Sequence, residues 1–222
     1  MGRAWTRNVA PHLIRVGFLV AILVPIAACG SDELPAPGEI VYSSTPQSIV
    51  QLDVMDADGQ NQRRLTQPNG QSDPTWSPDG TQLAYANANE CDAFTPCYQI
   101  CVMNRDGSGS RCLTGPDVRS EEPAWAPSGD EIAFVRWDYD APRDVETDIY
   151  TIRVDGTQES RLTETPGEDE SPSWSPDGKR IVFSSHRDSP PGGESYHLYV
   201  MDSDGSNPTR LTDSDAGDYW PS

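Results

Sequence analysis

Helical periodicity is missing from this chain. No stretch of ten or more residues repeats apolar side chains at helical spacing, and the longest apolar run has thirteen residues, short of the roughly 18 that a membrane-spanning helix needs. Catalytic signatures are missing too. There is no Gly-x-Ser-x-Gly elbow, no His-Glu-x-x-His pair and no glycine-rich phosphate loop, so the hydrolase, zinc-peptidase and nucleotide-binding chemistries that depend on them have no support here. Histidine is scarce, at 3 residues in 222. Positive charge is scarce as well: Lys and Arg number 16 against 35 Asp and Glu, a formal net charge of −19. Arg3, Arg7 and Arg15 stand in an N-terminal stretch without acids, so the chain from Cys29 onward carries 13 basic and 35 acidic residues, a net of −22. Such a surface repels phosphate backbones and favours basic partners, which excludes nucleic acid as a ligand. Asp-x-Asp-Gly, at Asp56–Gly59 and Asp202–Gly205, has only part of a calcium loop's ligand set and reads as a hairpin turn. No metal site, catalytic residue or cofactor is expected.

Proline (20) and glycine (18) are plentiful and punctuate short apolar runs, which predicts an all-β protein. The N-terminus reads as an address. Its arginines precede Val16–Ala28, the length of a signal-peptide apolar core. Ile26-Ala27-Ala28-Cys29 resembles the bacterial lipobox, in which small residues admit the peptidase and the cysteine thiol accepts lipid. The expected layout is therefore a lipoprotein signal peptide over 1–28, lipidated Cys29 with a tether to 37, and a folded body over 38–222. The expected location is the cell envelope, anchored by lipid and facing the periplasm or the exterior. Gly30 stands where some Gram-negative lipoproteins carry an inner-membrane retention aspartate.

A repeat of 49 residues organises the body. Pro74-Thr-Trp76-Ser-Pro-Asp-Gly80 returns as Pro123-Ala-Trp125-Ala-Pro-Ser-Gly129 and Pro172-Ser-Trp174-Ser-Pro-Asp-Gly178. An Asp-Gly pair follows strand three at Gly59, Gly107, Gly156 and Gly205, and a Leu-Thr pair closes each unit at Leu65, Leu113, Leu162 and Leu211. Each unit reads as four short strands: one with the tryptophan, a Ser-Pro-Asp-Gly turn, two apolar strands, an Asp-Gly hairpin and a short fourth strand. Strands apolar at successive positions, such as Ile181-Val182-Phe183, must be covered on both faces. Sheets stacked face to face around an axis do this, and the tryptophans would pack between them.

Pro-x-Trp-Ser-Pro-Asp-Gly, an apolar strand, Val-Met-x-x-Asp-Gly and Arg-Leu-Thr resemble the WD40-like repeats of TolB-type β-propellers, over residues 38–222. Blade three departs at Ala126 and Ser128 but keeps the turn character. The resemblance implies blades of four antiparallel strands and a full ring of about six. About four are present, and motif prolines at 74, 123, 172 and 221 put the last residue inside a further repeat, so an incomplete ring is expected. It also implies a non-enzymatic binding scaffold for envelope proteins. The alternative is the propeller part of a larger exported enzyme, a prolyl-oligopeptidase-like hydrolase or a sugar-acid lyase, whose catalytic part lies elsewhere.

Four cysteines follow Cys29, an even number in an exported chain, which points to disulfides. If each Asp-Gly makes a two-residue turn, strands three and four pair Asp53 with Arg64, Cys101 with Cys112, Tyr150 with Arg161 and Tyr199 with Arg210. A salt bridge, a disulfide and two cation–π contacts would then occupy one cross-strand site. Cys91 and Cys97 would close the loop before strand three. Connections of about twelve residues between strands two and three hold candidate binding residues Trp137, Tyr139, His186, Tyr196 and His197. Acids before strand one, Asp73, Glu121, Glu122, Asp169 and Glu170, are placed near a channel mouth where a cation or a basic partner would dock.

Overall fold

In the computed structural model the described residues are 38–46, 49–90, 96–138, 146–189, 195–213 and 217–221. Cys29, Cys91 and Tyr139 lie outside them. The described chain is all strand and turn, in four antiparallel sheets that follow one another along the sequence. Blade one has three strands, β1 (Glu39–Ser44), β2 (Gln51–Asp56) and β3 (Arg63–Arg64). Blade two is β4 (Gln71–Trp76), β5 (Gln82–Glu90), β6 (Pro96–Asn104) and β7 (Arg111–Cys112). Blade three is β8 (Arg119–Trp125), β9 (Glu131–Asp138), β10 (Glu146–Arg153) and β11 (Ser160–Arg161). Blade four is β12 (Asp169–Trp174), β13 (Arg180–Ser185), β14 (His197–Asp202) and β15 (Thr209–Arg210). Each sheet packs on the next, and the ring they trace is open.

The core lies between blades rather than within one. Ala84, Ile100 and Val102 of blade two meet Trp125, Ile132, Phe134 and Ile152 of blade three. Ala133, Val135 and Ile149 on the opposite side of blade three meet Ile181, Phe183, Tyr199 and Met201 of blade four. That is why strands two and three are apolar at successive positions: both faces of each sheet are covered. The tryptophans pack between blades as expected, and they also donate. Trp125 Nε1 reaches the Thr75 carbonyl at 3.3 Å and Trp174 Nε1 the Ala124 carbonyl at 3.2 Å, each in the preceding blade. Trp76 Nε1 is buried without a partner, in keeping with a blade one that has no described strand at the corresponding place.

The Ser-Pro-Asp-Gly turns form as the residues dictate. Gly80 and Gly178, at φ 68° and 69°, donate N–H to the Ser77 and Ser175 carbonyls at 2.8 Å. Asp79 Oδ1 accepts from the Ser77 hydroxyl at 2.6 Å and the Thr81 N–H at 3.0 Å. In blade three Ser128 replaces the aspartate and bonds Asp130 instead, and the Gly129 N–H still closes the turn on Ala126 at 2.9 Å.

The Asp-Gly hairpins reach the expected register by a different route. Asp53 faces Arg64, Cys101 faces Cys112, Tyr150 faces Arg161 and Tyr199 faces Arg210. The turn itself is a three-residue loop: Gly59 N–H bonds the Asp56 carbonyl at 2.8 Å, and Asp56 N–H the Gln60 carbonyl at 2.9 Å. That loop shifts the pairing by one residue. A second left-handed residue restores it, Asn61, Gly109, Gln158 or Asn207, at φ between 52° and 65°. The bulge is what preserves the register.

Candidate functional site

Strand order puts two different ends on every blade. The turns between strands one and two and between three and four share one end. The connections between strands two and three, and from one blade to the next, share the other, here called the mouth. At the turn end each hairpin aspartate does the same thing. Asp58, Asp106, Asp155 and Asp204 accept the N–H two residues on, at 2.9 Å in all four cases. Hydrogen bonds from neighbouring hydroxyls hold the Asp79, Asp106, Asp155, Asp177 and Asp204 carboxyls below their ordinary range. A concavity of about 520 Å³ at this end is lined by Arg63, Thr81, Asn104, Arg105 and Asp106. Its two arginines are both taken up by Glu39, at 3.1 and 3.0 Å.

At the mouth the same repeat positions carry different chemistry in each blade. In blade two stand Gly70 and Ala88, so close that a Cβ on Gly70 would lie 2.6 Å from that of Ala88. Forty-nine residues on, in blade three, Arg119 faces Trp137. The Arg119 guanidinium lies 3.9 Å from the Trp137 ring and 5.6 Å from that of Tyr98, and its Nε bonds Glu121 at 2.9 Å. Burial, followed by the Glu121 charge, raises the pKa of Tyr98. A further 49 residues on, Glu168 meets His186 at 3.8 Å and accepts a hydrogen bond from the Tyr196 hydroxyl. Rings then continue outward, His186 to Tyr196 at 5.2 Å, Tyr196 to Tyr219 at 4.9 Å and Tyr219 to Trp220 at 5.7 Å. Burial, with Glu170 next, pushes the Tyr196 hydroxyl well above its usual range.

Strand one lines the inner wall and is bulged in blades two to four. Asp73, Glu122, Ser171 and Trp220, spaced by 49, all sit in left-handed backbone at φ 50° to 55°. A non-glycine residue there costs energy and needs support from its neighbours. Glu122 shows that support: its carboxylate accepts the Ser171 N–H at 2.8 Å and the Ser171 hydroxyl at 3.1 Å, tying blade three to blade four. The sequence marked Asp73 and Glu122 as acids but carried no sign of the bulge.

Other expectations are redistributed. Trp137 lies in β9, which pairs with β10 out to Asp138–Glu146 as β5 pairs with β6 out to Glu90–Pro96, and His197 opens β14 opposite Ser185. The long loops are thus largely strand in blades two and three. His197 and Asp169 are buried rather than displayed. The Cys101–Cys112 disulfide is formed. Cys97 is disulfide-bonded as well, while Cys91, its expected partner, lies outside the described residues. The cation–π pairs differ from expectation. Arg161 goes to Asp148 at 2.6 Å and Arg210 to the Thr212 carbonyl at 2.6 Å. The tyrosines are instead covered by Arg136, 4.5 Å from Tyr150, and by Arg187, 5.0 Å from both Tyr199 and Phe183. Asp53 likewise takes its bonds from Ser44 and Gln51. In register terms Arg187 falls two residues beyond Arg136, yet it serves the same pair of rings, a coincidence no sequence spacing announces. Asp148, buried beside Arg161, has its carboxyl pushed up to about 6 by that burial. Among the described residues no three His, Cys, Asp or Glu side chains are grouped to hold a metal.

This architecture has known counterparts. TolB of Agrobacterium tumefaciens superposes with a TM-score of 0.67 at 24% identity, over 78% of this chain and 61% of its own. TolB of Acinetobacter baumannii gives 0.63 at 22% identity, over 82% and 43%. A puromycin hydrolase gives 0.60 at 20% identity, over 82% and 30%. The chain thus spans less than two thirds of the length of any of these three, and the likeness is one of fold. No curated protein matches it by sequence. The TolB beta propeller domain family matches residues 40–218, and with its repeat, blades and inter-blade tryptophans the chain belongs to that family.

Proposed function

We propose that this protein is a non-enzymatic, lipid-anchored component of the bacterial cell envelope whose propeller binds another envelope protein with a basic surface at the mouth. The observation that carries this reading is the contrast between the ends of the blades. One set of turn contacts is repeated unchanged, while Gly70–Ala88, Arg119–Trp137 and Glu168–His186 diverge at one repeat position. Residues on a rigid scaffold that differ blade by blade suit recognition. The acid excess of the chain beyond Cys29 gives long-range attraction for a cationic partner, sensitive to salt. Anchoring rests on Cys29 and the lipobox-like run before it.

Two measurements test the two halves. Cys29→Ser is expected to abolish lipid labelling and release the protein from membranes; a variant that stays bound refutes the anchor. A photo-reactive residue at His186 is expected to capture one envelope protein in cells, with loss of the adduct at high salt, whereas the same probe at Asp79 captures none. Equal capture at both ends would sink the mouth as a binding face.

A second reading, the propeller portion of a larger exported enzyme, is favoured by the likeness to puromycin hydrolase and to a manganese-bound oligogalacturonate lyase at TM-score 0.56. A Gly-x-Ser-x-Gly domain encoded in the same reading frame, with peptidase activity lost on mutating its serine, would establish it.

A further inference from the structure

Three buried polar atoms without a hydrogen-bond partner sit at one place, the mouth end of the interface between blades three and four. They are Thr147 Oγ1, Asp169 Oδ1 and His197 Nδ1. Register shows why they belong together. Asp169 pairs with Ser185 and Ser185 with His197, so the three form one lateral row across blade four. Ser185 and His197 share a sheet face with Phe183 and Tyr199, which pack on blade three. Thr147 lies two residues before Ile149, on the face of blade three that packs on those same rings. The row and the threonine therefore look at each other across the interface, and all are buried: Thr147 and Asp169 at 0% exposure, His197 at 6%.

The equivalent row in blade two closes on itself. Gln71 donates to Asn87 at 3.2 Å and Gln99 to the Thr114 carbonyl at 2.6 Å. Blade three leaves Ser120 Oγ and Arg136 Nε over, but its Asp148 is held by Arg161 and Thr163. Among the described residues, only at the interface of blades three and four do such atoms come from both sides. Their chemistry narrows the ligand. Asp169 Oδ2 is taken by Arg187 at 2.8 Å, which neutralises the carboxylate and removes the case for a metal cation. Oδ1 remains a pure acceptor, while a threonine hydroxyl and an imidazole nitrogen serve as donor or acceptor. We propose that an ordered water molecule is built into this interface, donating to Asp169 Oδ1 and bonded to Thr147 Oγ1, with His197 Nδ1 as its third partner. Buried waters of this kind typically make about three hydrogen bonds and are costly to remove. The water would sit directly beneath His186 and Tyr196, the chain neighbours of Ser185 and His197, and would set the floor of that part of the mouth.

The sign of one substitution tests this. Thr147→Val in the full chain keeps the shape and deletes the hydroxyl. With a water in place it removes a satisfied hydrogen bond, and the melting temperature falls by about 2–4 °C. With no water it removes an orphaned buried hydroxyl, and the melting temperature stays level or rises, which overturns the proposal. A crystal structure at high resolution gives the independent reading. Density within hydrogen-bond reach, roughly 2.7–3.2 Å, of Asp169 Oδ1 and Thr147 Oγ1 supports it. An empty interface, or an atom held at metal distances of about 2.0–2.4 Å, refutes it whatever the melting data show.

Discussion

The turn end and the mouth end of these blades are built from the same 49-residue unit and obey different rules. At the turn end, local chemistry decides the turns. Each aspartate bonds its own turn, each glycine takes the left-handed corner, and the result is nearly identical from blade to blade. At the mouth, side chains reach into the neighbouring blade: Arg119 into Tyr98 and Ser171 into Glu122. Substitutions at the turn end should therefore be cheap and local, and those at the mouth expensive and shared between blades.

The largest expected effect is at the mouth. Asp169→Ala leaves the Arg187 guanidinium buried, with its side chain 10% exposed, and without its counterion. Chemical denaturation should show a loss of about 3–5 kcal/mol, against less than about 1.5 kcal/mol for Asp79→Ala at the turn end. Equal losses would erase the distinction between the ends. Reducing Cys101–Cys112, which closes an eleven-residue separation on the hairpin of blade two, should come next, at about 2–3 kcal/mol. A Cys101→Ala/Cys112→Ala variant that melts like the oxidised protein would show that the pair adds nothing to that hairpin.

Two glycines then sharpen the comparison within the turn end. Gly59 and Gly205 hold the same place at φ 81° and 86°. A Cβ on Gly59 meets nothing within 4 Å, while one on Gly205 would stand 2.6 Å from the Leu162 carbonyl oxygen of the preceding blade. Gly59→Ala should cost only the left-handed penalty, about 1–2 kcal/mol, and Gly205→Ala measurably more in the same melt. If the two match, the turn contacts between blades are slack.

The smallest effect is a matter of pH. The turn aspartates have folded pKa values below their unfolded ones, so the stability they contribute is present above the unfolded value and lost as pH falls through the folded one. Asp148 runs the other way. Its carboxyl, raised to about 6, makes the charged form costly above that pH and relieves the cost as pH drops from about 6 toward 4. Melting temperature against pH should rise slightly over that upper range and then fall, and Asp148→Asn should remove the rise alone.

Much of this was legible in the residues. The Trp-Ser-Pro-Asp-Gly and Asp-Gly signals place strands and turns because their conformational preferences act within four or five residues. The double-sided apolar strands demand stacked sheets. Even the Cys101–Cys112 pairing follows from counting, although a loop and a bulge that offset one another produce the count. What could not be read is where long side chains go. Arg161 and Arg210 face tyrosines in register yet serve acids and carbonyls, because a guanidinium on a flexible stem goes to the strongest acceptor within reach. His197 and Asp169, polar and next to a loop, gave no hint that blade three would bury them.

The sequence by itself determined the repeat, the blade and the turns, where each turn contact lies within a few residues of its partner. Tertiary structure alone decided the mouth. The bond of Glu122 to Ser171 and the approach of Arg119 to Tyr98 join residues that only the stacking of blades brings together, and no local preference encodes a neighbour that arrives 49 residues later.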